Sequence, residues 1–333
     1  MVVVNIGDVA ADAGVSRSTV SYVLSGTRTI SPETRERVRA SIRKLGYRPN
    51  PAARALTLKR TGILGLLADV GVEGAEADVE TFMQFVQEAL FTARRRGYDL
   101  IVMGNGEEEL RGDVLADALV MMDIAPDERR LDALADIGVP ATLIGVPDER
   151  QGFFAVDLDF GAAGTALAGH LVHLGHDVIA YLAPEPDAVV SGFTFMQRFE
   201  RGLEDRARAL GVQVTAVAQP GDLDIAGWWA TARSESPDLT AVITPGPAAL
   251  DDLYPFLTGS GVSVPGDLSV VTLATERRLR RAPVPTTGVT LPVKDMVGTA
   301  VDRAVDALEG APADGALLLA PAILDLGSTA RRR

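Results

Sequence analysis

The first 45 residues contain three stretches in which apolar residues recur at helical spacing. These stretches are 6–13, 17–24 and 32–45. Each follows a residue whose side chain accepts hydrogen bonds from the free amides of a first helical turn: Asn5, Ser16 and Ser31. Gly14 tolerates the positive φ needed between the first two stretches. The pattern predicts three helices, of which the first two form a helix-turn-helix.

The second predicted helix has a polar face. When its valines and Leu24 turn inward, the exposed side carries Arg17, Ser18 and Tyr22. Long or hydrogen-bonding side chains at the start of such a helix suit the base edges of a DNA major groove. We therefore expect these three residues to read DNA sequence.

Residues 47–58 predict a short segment with a helical start. Asn50-Pro51 combines a capping residue with a proline at the first helical position. A helix of two turns is marginal alone, so we expect it to form only against a partner. Ala53 and Leu56 then share a side, where paired helices approach closely and Leu56 enters a minor groove as a wedge. A plain interdomain linker remains the alternative.

From residue 62 onward, short apolar runs alternate with amphipathic helical stretches, which predicts βαβ units and parallel sheets. The strand candidates include 62–68, 98–103, 115–122, 140–145, 177–183, 240–244 and 267–274. The helix candidates include 78–96, 161–174, 194–210, 247–260 and 292–309. This number of elements fits two doubly wound halves, with a ligand in the crevice beyond the carboxyl ends of the strands.

The composition indicates a folded protein in a reducing compartment. The chain has 333 residues, enough for two or three domains, and it contains no cysteine for a disulfide, a thiolate metal site or a nucleophile. Its start lacks the pattern of a signal peptide, and no apolar stretch approaches the ~20 residues of a membrane span. We therefore expect a cytoplasmic protein with no membrane association.

The charge is divided unevenly along the chain. Residues 1–60 hold eleven Lys and Arg against four Asp and Glu, a net charge of +7, whereas the other 273 residues have a net charge of −20. A basic module joined to an acidic body is expected when only the module meets a nucleic acid. The third predicted helix has four outward cations that suit phosphates, or else an ordinary solvated surface: Arg35, Arg39, Arg43 and Lys44.

Catalytic and metal-binding motifs are missing from the sequence. His170, His173 and His176 are spaced by threes, but His176 follows Gly175, where the helix should end, so packing is favoured over a metal site. The sequence has no nucleophile elbow, phosphate loop or HExxH motif. Gly161-Ala-Ala-Gly164 has too few glycines for a dinucleotide fingerprint and indicates close helix packing instead. We expect neither an enzyme nor a cofactor.

The N-terminal sequence resembles the DNA-binding module of the lactose-repressor/galactose-repressor (LacI/GalR) family of bacterial transcription regulators. The motifs that carry the resemblance are Asp8-Val-Ala-x-x-Ala-Gly-Val-Ser16, Thr19-Val-Ser21, Ser31-x-x-Thr-Arg-x-x-Val38, Leu45-Gly-Tyr-x-Pro-Asn50 and Ala53-Arg-x-Leu56. Together with the polar face of the second predicted helix, the resemblance implies that the following residues contact DNA: Asn5, Ser16, Arg17, Ser18, Thr19, Ser21, Tyr22, Asn50, Ala53, Arg54 and Leu56. Gly7 departs from the tyrosine frequent in the family, so one phosphate contact is expected to be absent.

The resemblance continues more weakly through the rest of the chain, in motifs such as Val264-Pro-x-Asp-Leu-Ser-Val270. It implies a bilobed effector domain of periplasmic-binding-protein type, with a ligand held by Phe82, Asp157 and Arg198. Ala274 stands where the family commonly has an aspartate, and the acidic residue near 245–247 is also missing. The effector is therefore expected to differ from a simple sugar, or to be absent.

The implied fold is an N-terminal all-α helix-turn-helix domain followed by an α/β, bilobed, doubly wound body. The expected boundaries are 1–48 for the DNA-binding domain, 49–60 for the hinge and 61–333 for the effector domain. The expected lobes are about 61–156 with 288–312, and 157–287 with 313–328, because the resemblance implies crossings near 156–157, 287–291 and 310–317.

The function expected from the sequence is a repressor that responds to a small-molecule effector. It binds a pseudo-palindromic double-stranded DNA operator as a homodimer, with a tetramer as the alternative. A regulator that has lost small-sugar binding and responds to another ligand or to none is the second hypothesis. A freestanding sugar-binding protein, an enzyme fused to a DNA-binding module and an architectural minor-groove protein fit the sequence less well.

Overall fold

The computed structural model describes residues 4–25, 28–47, 60–68, 79–104, 106–110, 114–184, 192–218, 224–312 and 314–332. The chain divides into two compact units between Thr61 and Gly62. No helix in these ranges is long and apolar enough to cross a bilayer.

The first unit contains three helices within its described residues: α1 (Ile6–Ala13), α2 (Arg17–Ser25) and α3 (Pro32–Leu45). A capping box at Asn5 begins α1, and Gly14 ends it with a φ of 63°. Ser31 caps α3 by accepting from the Thr34 amide. The helices enclose a small core made of Val9, Ala10, Ala13, Val20 and Val38. The predicted helix-turn-helix is confirmed.

The second unit contains two sheets, each six-stranded within the described residues. The first lobe holds β1 (Ile63–Leu67), β2 (Asp99–Met103), β3 (Ala118–Met121), β4 (Ala141–Ile144), β5 (Phe154–Leu158) and β11 (Ala316–Leu319), in the order β11-β5-β4-β3-β1-β2. The second lobe holds β6 (Val178–Ala183), β7 (Gln213–Ala218), β8 (Ala241–Thr244), β9 (Ser269–Ala274), β10 (Thr287–Thr290) and β12 (Ile323–Leu324), in the order β12-β10-β9-β8-β6-β7. All strand pairs are parallel except β10 with β12.

Helices follow the strands in both lobes, as a doubly wound fold requires. The helices of the first lobe are α4 (Val79–Arg95), α5 (Glu107–Leu110), α6 (Arg130–Ile137) and α12 (Val293–Leu308). The helices of the second lobe are α7 (Phe160–His173), α8 (Thr194–Leu210), α9 (Ile225–Glu235), α10 (Leu250–Gly259) and α11 (Glu276–Arg281). The expected α/β bilobed fold is confirmed, since buried apolar strands lie between helices in each lobe.

The chain crosses between the lobes after the strands β5, β10 and β11. Strand β5 belongs to the first lobe through Leu158, and β10 belongs to the second lobe through Thr290. One correction concerns residues 316–319, expected in the second lobe, which pair with β5 in the first. A crossing falls between strands rather than within one, because each buried backbone group needs its partner on a neighbouring strand.

Two helices of the second lobe approach each other so closely that only glycine fits at the contact. A Cβ on Gly164 of α7 would overlap the Phe199 carbonyl oxygen, and a Cβ on Gly202 of α8 would overlap the Gly161 carbonyl oxygen. The interpretation of Gly161-Ala-Ala-Gly164 as a packing motif is confirmed.

We expect Gly202→Ala to lower the free energy of unfolding by about 2–3 kcal/mol, because the methyl group meets backbone that has no rotamer through which to move aside. Gly298→Ala is the matched control, since Gly298 is also inside a helix and its Cβ would be 4.0 Å from its nearest neighbour, Thr92 Oγ1. The control should gain about 0.5–1 kcal/mol from helix propensity. Urea unfolding of both variants measures these changes. Equal losses of unfolding free energy in the two variants would contradict the close helix contact at Gly202.

Candidate DNA interface and interlobe cleft

The start of α2 is organised by Ser16. Its Oγ accepts the Thr19 amide at 3.1 Å and lies 2.8 Å from both Ser18 Oγ and Thr19 Oγ1. Ser16 and Ser18 are exposed, whereas Thr19 and Ser21 are half-buried. The cap therefore presents hydroxyl groups to solvent at the end of the helix from which a recognition helix reads DNA.

Arg17 lies against the first turn of α1. A Cβ on Gly7 would stand 2.8 Å from Arg17 Nη2 and 2.9 Å from Arg17 Nε. The same point is 2.9 Å from Asn5 Oδ1, which accepts the Gly7 amide at 2.7 Å. The structure thus brings Asn5 and Arg17, both exposed, to one site at the start of the two helices.

Tyr22 lies one turn further along α2 and is half-buried. The Arg28 guanidinium carbon stands 5.2 Å from the centroid of the Tyr22 ring, a cation–π contact. Sequence reasoning missed Arg28 because it lies beyond the helix, at a spacing that carries no periodic signal. The contact adds a cation beside the polar face of α2.

Two of the four outward cations of α3 are paired within the first unit. Arg43 Nη2 contacts Glu36 Oε1 at 2.7 Å, and Lys44 Nζ contacts Asp12 Oδ1 at 2.6 Å. Both pairs lie at the surface, where the hydrogen bonds from Arg43 and Lys44 hold the pKa of Glu36 and of Asp12 below its ordinary value. Exposed pairs contribute little to stability and exchange readily with other anions.

The hinge candidates Asn50, Ala53, Arg54 and Leu56 lie outside the described residues. The expected hinge helix and its groove-entering leucine therefore remain predictions from the sequence.

In the second unit, Asp157 is a deeply buried carboxyl group of the first lobe. It stands near the carboxyl end of β5, one residue before the chain leaves the first lobe, and is 2% exposed. Its Oδ1 accepts a hydrogen bond from the Leu158 amide at 3.0 Å, while its Oδ2 has no hydrogen-bond partner among the described residues. Burial raises the pKa of Asp157 to about 7, and the Leu158 amide and the nearby Arg198 charge offset part of that rise.

The start of α8 crosses the cleft to the first lobe. The Thr194 amide donates to the Ile124 carbonyl oxygen at 2.9 Å, and Arg198 Nη2 donates to the Val146 carbonyl oxygen at 2.6 Å. Thr194 is 2% exposed, and its Oγ1 has no hydrogen-bond partner in the part of the chain that the structure describes. Sequence reasoning missed Thr194, since a threonine at the start of an amphipathic helix usually indicates only a cap.

Two further contacts join the lobes on the side of α4. Gln84 Nε2 donates to Thr275 Oγ1 at 3.2 Å, and Arg277 Nε lies 2.9 Å from Glu80 Oε1. Together with the two bonds at the start of α8, these contacts join residues of the two lobes. They hold the carboxyl ends of the two sheets together in this conformation.

Phe82 is half-buried on α4, packed against the main hydrophobic core. Asp157 and Arg198 lie within electrostatic reach of each other, but in the described part of the chain no hydrogen bond or aromatic pair links Phe82 to either. Ala274 is the last residue of β9 and is 2% exposed. Its methyl side chain provides no carboxylate at this position.

Two of the three histidines considered as metal ligands, His170 and His176, contact the C-terminal segment. His170 Nε2 lies 3.1 Å from Thr329 Oγ1, and His176 bonds to Thr240 Oγ1 at 2.9 Å and to the Ala330 carbonyl oxygen at 3.0 Å. No group of residues that could hold a metal ion occurs in the described part of the chain.

Two family models match the chain. Residues 5–50 match the model of bacterial regulatory proteins of the lacI family, and residues 168–329 match that of a periplasmic binding protein-like domain. The first match covers the helix-turn-helix, and the second covers most of the second lobe.

Curated relatives and solved structures agree with these matches. The transcriptional regulator CelR of Thermobifida fusca is 31% identical over 89% of this chain and 90% of its own length, and the repressor PurR of Erwinia tasmaniensis is 31% identical over 53% and 52%. The Lac repressor dimer bound to operator shares the fold with a TM-score of 0.81 and 22% identity over 98% of this chain and 99% of its own. A CelR–cellobiose complex has a TM-score of 0.68 and 24% identity over 98% of this chain and 99% of its own chain. The chain therefore belongs to the lacI family and is a DNA-binding transcriptional regulator rather than an enzyme.

Proposed function

We propose that this regulator is a cytoplasmic, effector-responsive repressor that binds a pseudo-palindromic operator as a homodimer. The observation that carries the proposal is the exposed polar start of α2, which stands on a unit of net charge +7 while the rest of the chain is strongly acidic. Arg17, Ser18 and Tyr22 would contact base edges, and Asn5, Ser16, Thr19 and Ser21 would help to fix the helix on the DNA. Residues 49–60, with Asn50, Ala53, Arg54 and Leu56, would bind the operator centre.

Arg17→Ala should relax discrimination at one operator base pair by about 1–3 kcal/mol, because a guanidinium reads a guanine edge through two hydrogen bonds. Arg39→Ala is the matched control. It removes an exposed cation of α3 and should weaken binding to all DNA sequences alike. Selection from a random pool of duplexes checks both. If the Arg17 variant selects the unchanged site, its reading role is wrong.

The first lobe offers a surface for dimerisation. Helix α4 packs against β2, the edge strand of its sheet. On the α4 side of the sheet, the two elements expose large apolar side chains that we propose form the lobe-1 apolar face: Val79, Met83, Phe91 and Val102. A monomer seldom leaves so many large apolar groups in one solvated area. A second copy of the chain would cover this face through a two-fold axis. The Lac repressor, which shares the fold, is a dimer in its operator complex.

Phe91→Asp should convert the dimer to monomer at micromolar concentration, because a carboxylate loses solvation when it is buried in an interface. Phe91 is 58% exposed in the single chain, so folding of the monomer should be unaffected. Leu210→Asp, at a 38% exposed apolar residue of the second lobe, is the control and should remain dimeric. Sedimentation equilibrium checks the pair, and a dimeric Phe91 variant would contradict this assignment of the interface.

Two buried polar atoms near the cleft support the proposal of a small-molecule effector. Asp157 Oδ2 and Thr194 Oγ1 are buried polar atoms with no partner among the described residues. Such atoms destabilise a protein unless a bound group satisfies them. Asp157 and Arg198 would provide polar contacts, with Phe82 as a stacking aromatic. Cellobiose, held by CelR, is the first ligand to test, while Ala274 supports the alternative that simple sugars no longer bind.

Asp157→Asn should raise stability above pH 7 and leave it nearly unchanged near pH 4. The pKa of Asp157 is raised to about 7 in the folded chain, so the folded state binds the extra proton and loses stability as pH rises from about 4 to 7. The amide has no proton to lose, and each unit of the raised pKa corresponds to ~1.4 kcal/mol. Thermal unfolding at pH 4.5 and pH 8 checks this.

The same variant tests the ligand role. If cellobiose raises the unfolding temperature of the parent chain but not of the Asp157 variant, Asp157 binds the effector. If the parent and the variant differed in unfolding temperature by the same amount at both pH values, the raised pKa assigned to Asp157 would be contradicted. No shift with cellobiose in either protein would favour the alternative, a lobe that responds to another ligand or to none.

A further inference from the structure

The first turn of α1 contains a glycine that its backbone conformation does not require. Gly7 is a helical residue, and its φ is not among the positive values found at thirteen other described glycines. Glycine is a poorer helix former than alanine at such a position. What distinguishes Gly7 is its surroundings, because the space that a Cβ would occupy is taken by other atoms.

The group that occupies this space is the guanidinium of Arg17. Nη2 and Nε would lie 2.8 and 2.9 Å from a Cβ on Gly7, well inside the ~3.5–4.0 Å at which such atoms pack. Asn5 Oδ1 lies 2.9 Å from the same point, held there by the Gly7 amide. The absence of a side chain at residue 7 is therefore what allows the guanidinium to lie over α1.

The position of Arg17 matters because arginine has a long side chain with several rotatable bonds. Base recognition by a guanidinium needs both its nitrogens aligned with one guanine edge, so its approach to the groove decides which base it reaches. A surface on α1 that receives the guanidinium limits the directions from which it extends.

We propose that Gly7 is a specificity-determining residue that acts by positioning Arg17. This inference rests on the proposed function, in which Arg17 reads a base. With Gly7, the guanidinium lies along the first turn of α1 and reaches its base pair from that side. Any residue with a Cβ displaces the guanidinium and changes the base preference at that pair, although residue 7 itself contacts no base.

The test uses four full-length proteins: the parent, Gly7→Ala, Arg17→Ala and the double variant. Each is first used to select duplexes from a random pool at fixed salt. Its affinity is then measured for the parent operator and for the three single-base changes at the pair that Arg17 reads. Ala11→Ser is the control, a change of similar size at an exposed position of α1.

We expect Gly7→Ala to reduce the preference at this pair about fivefold or more, the lower end of what a good guanidinium–guanine contact provides. In the Arg17→Ala background, the same change should alter the preference less than twofold. The unfolding temperature of Gly7→Ala should equal or exceed that of the parent, and Ala11→Ser should behave as the parent in both measurements.

The possible failures are distinguishable. If Arg17→Ala keeps the parent preference, the proposed reading role is wrong and the inference is overturned with it. If Arg17→Ala loses the preference but Gly7→Ala does not, Arg17 reads DNA without the help of Gly7. An effect of Gly7→Ala that persists without Arg17, or uniform weakening with a lower unfolding temperature, would mean that residue 7 acts on the fold.

Discussion

The second unit is governed by a connectivity constraint, because one chain passes between two sheets three times. The passages follow β5, β10 and β11, and each leaves a strand that is hydrogen-bonded within its own sheet. Three backbone connections therefore link the two lobes covalently. A ligand that bridges the cleft would act on the angle between the lobes, the kind of two-state element on which the proposed effector control depends.

The polar groups of the cleft lie beside these passages. Asp157 is one residue from the first of them, and Thr194 and Arg198 belong to the helix that bonds to the first lobe. Arg198 bonds to a main-chain carbonyl oxygen in this conformation, so a ligand would have to compete for it or leave it in place. The unpartnered Asp157 and Thr194 oxygens have no such competing partner among the described residues. The cleft thus combines hydrogen bonds between the lobes with buried oxygens that have no hydrogen-bond partner among the described residues.

The sequence predicted the elements more successfully than the connections between them. Helix α8 was expected at 194–210 and has those limits, because amphipathic spacing continues until Gly211 supplies a positive φ of 67°. Residues 316–319 were placed in the wrong lobe, because four consecutive apolar-rich positions predict no particular sheet. Their pairing with β5 depends on hydrogen bonds between segments more than 150 residues apart. The Asn5, Gly7 and Arg17 cluster was also not predictable as a unit, since the sequence does not show where a flexible arginine will lie.

Charge separates the two activities along the chain. The first unit is basic and the second acidic, so the acidic body repels DNA phosphates while the basic unit attracts them. This arrangement favours one orientation of approach and limits non-specific binding by the larger unit.

The measurement that tests the central claim most directly is operator affinity against salt concentration, for the full chain and for a chain beginning at Thr61. If DNA binding resides in residues 1–60, the logarithm of the association constant should fall linearly and steeply with the logarithm of salt concentration, because each neutralised phosphate releases a counterion. The shortened chain should show no specific binding. A flat salt dependence of the full chain, or operator binding by the shortened chain, would contradict the assignment.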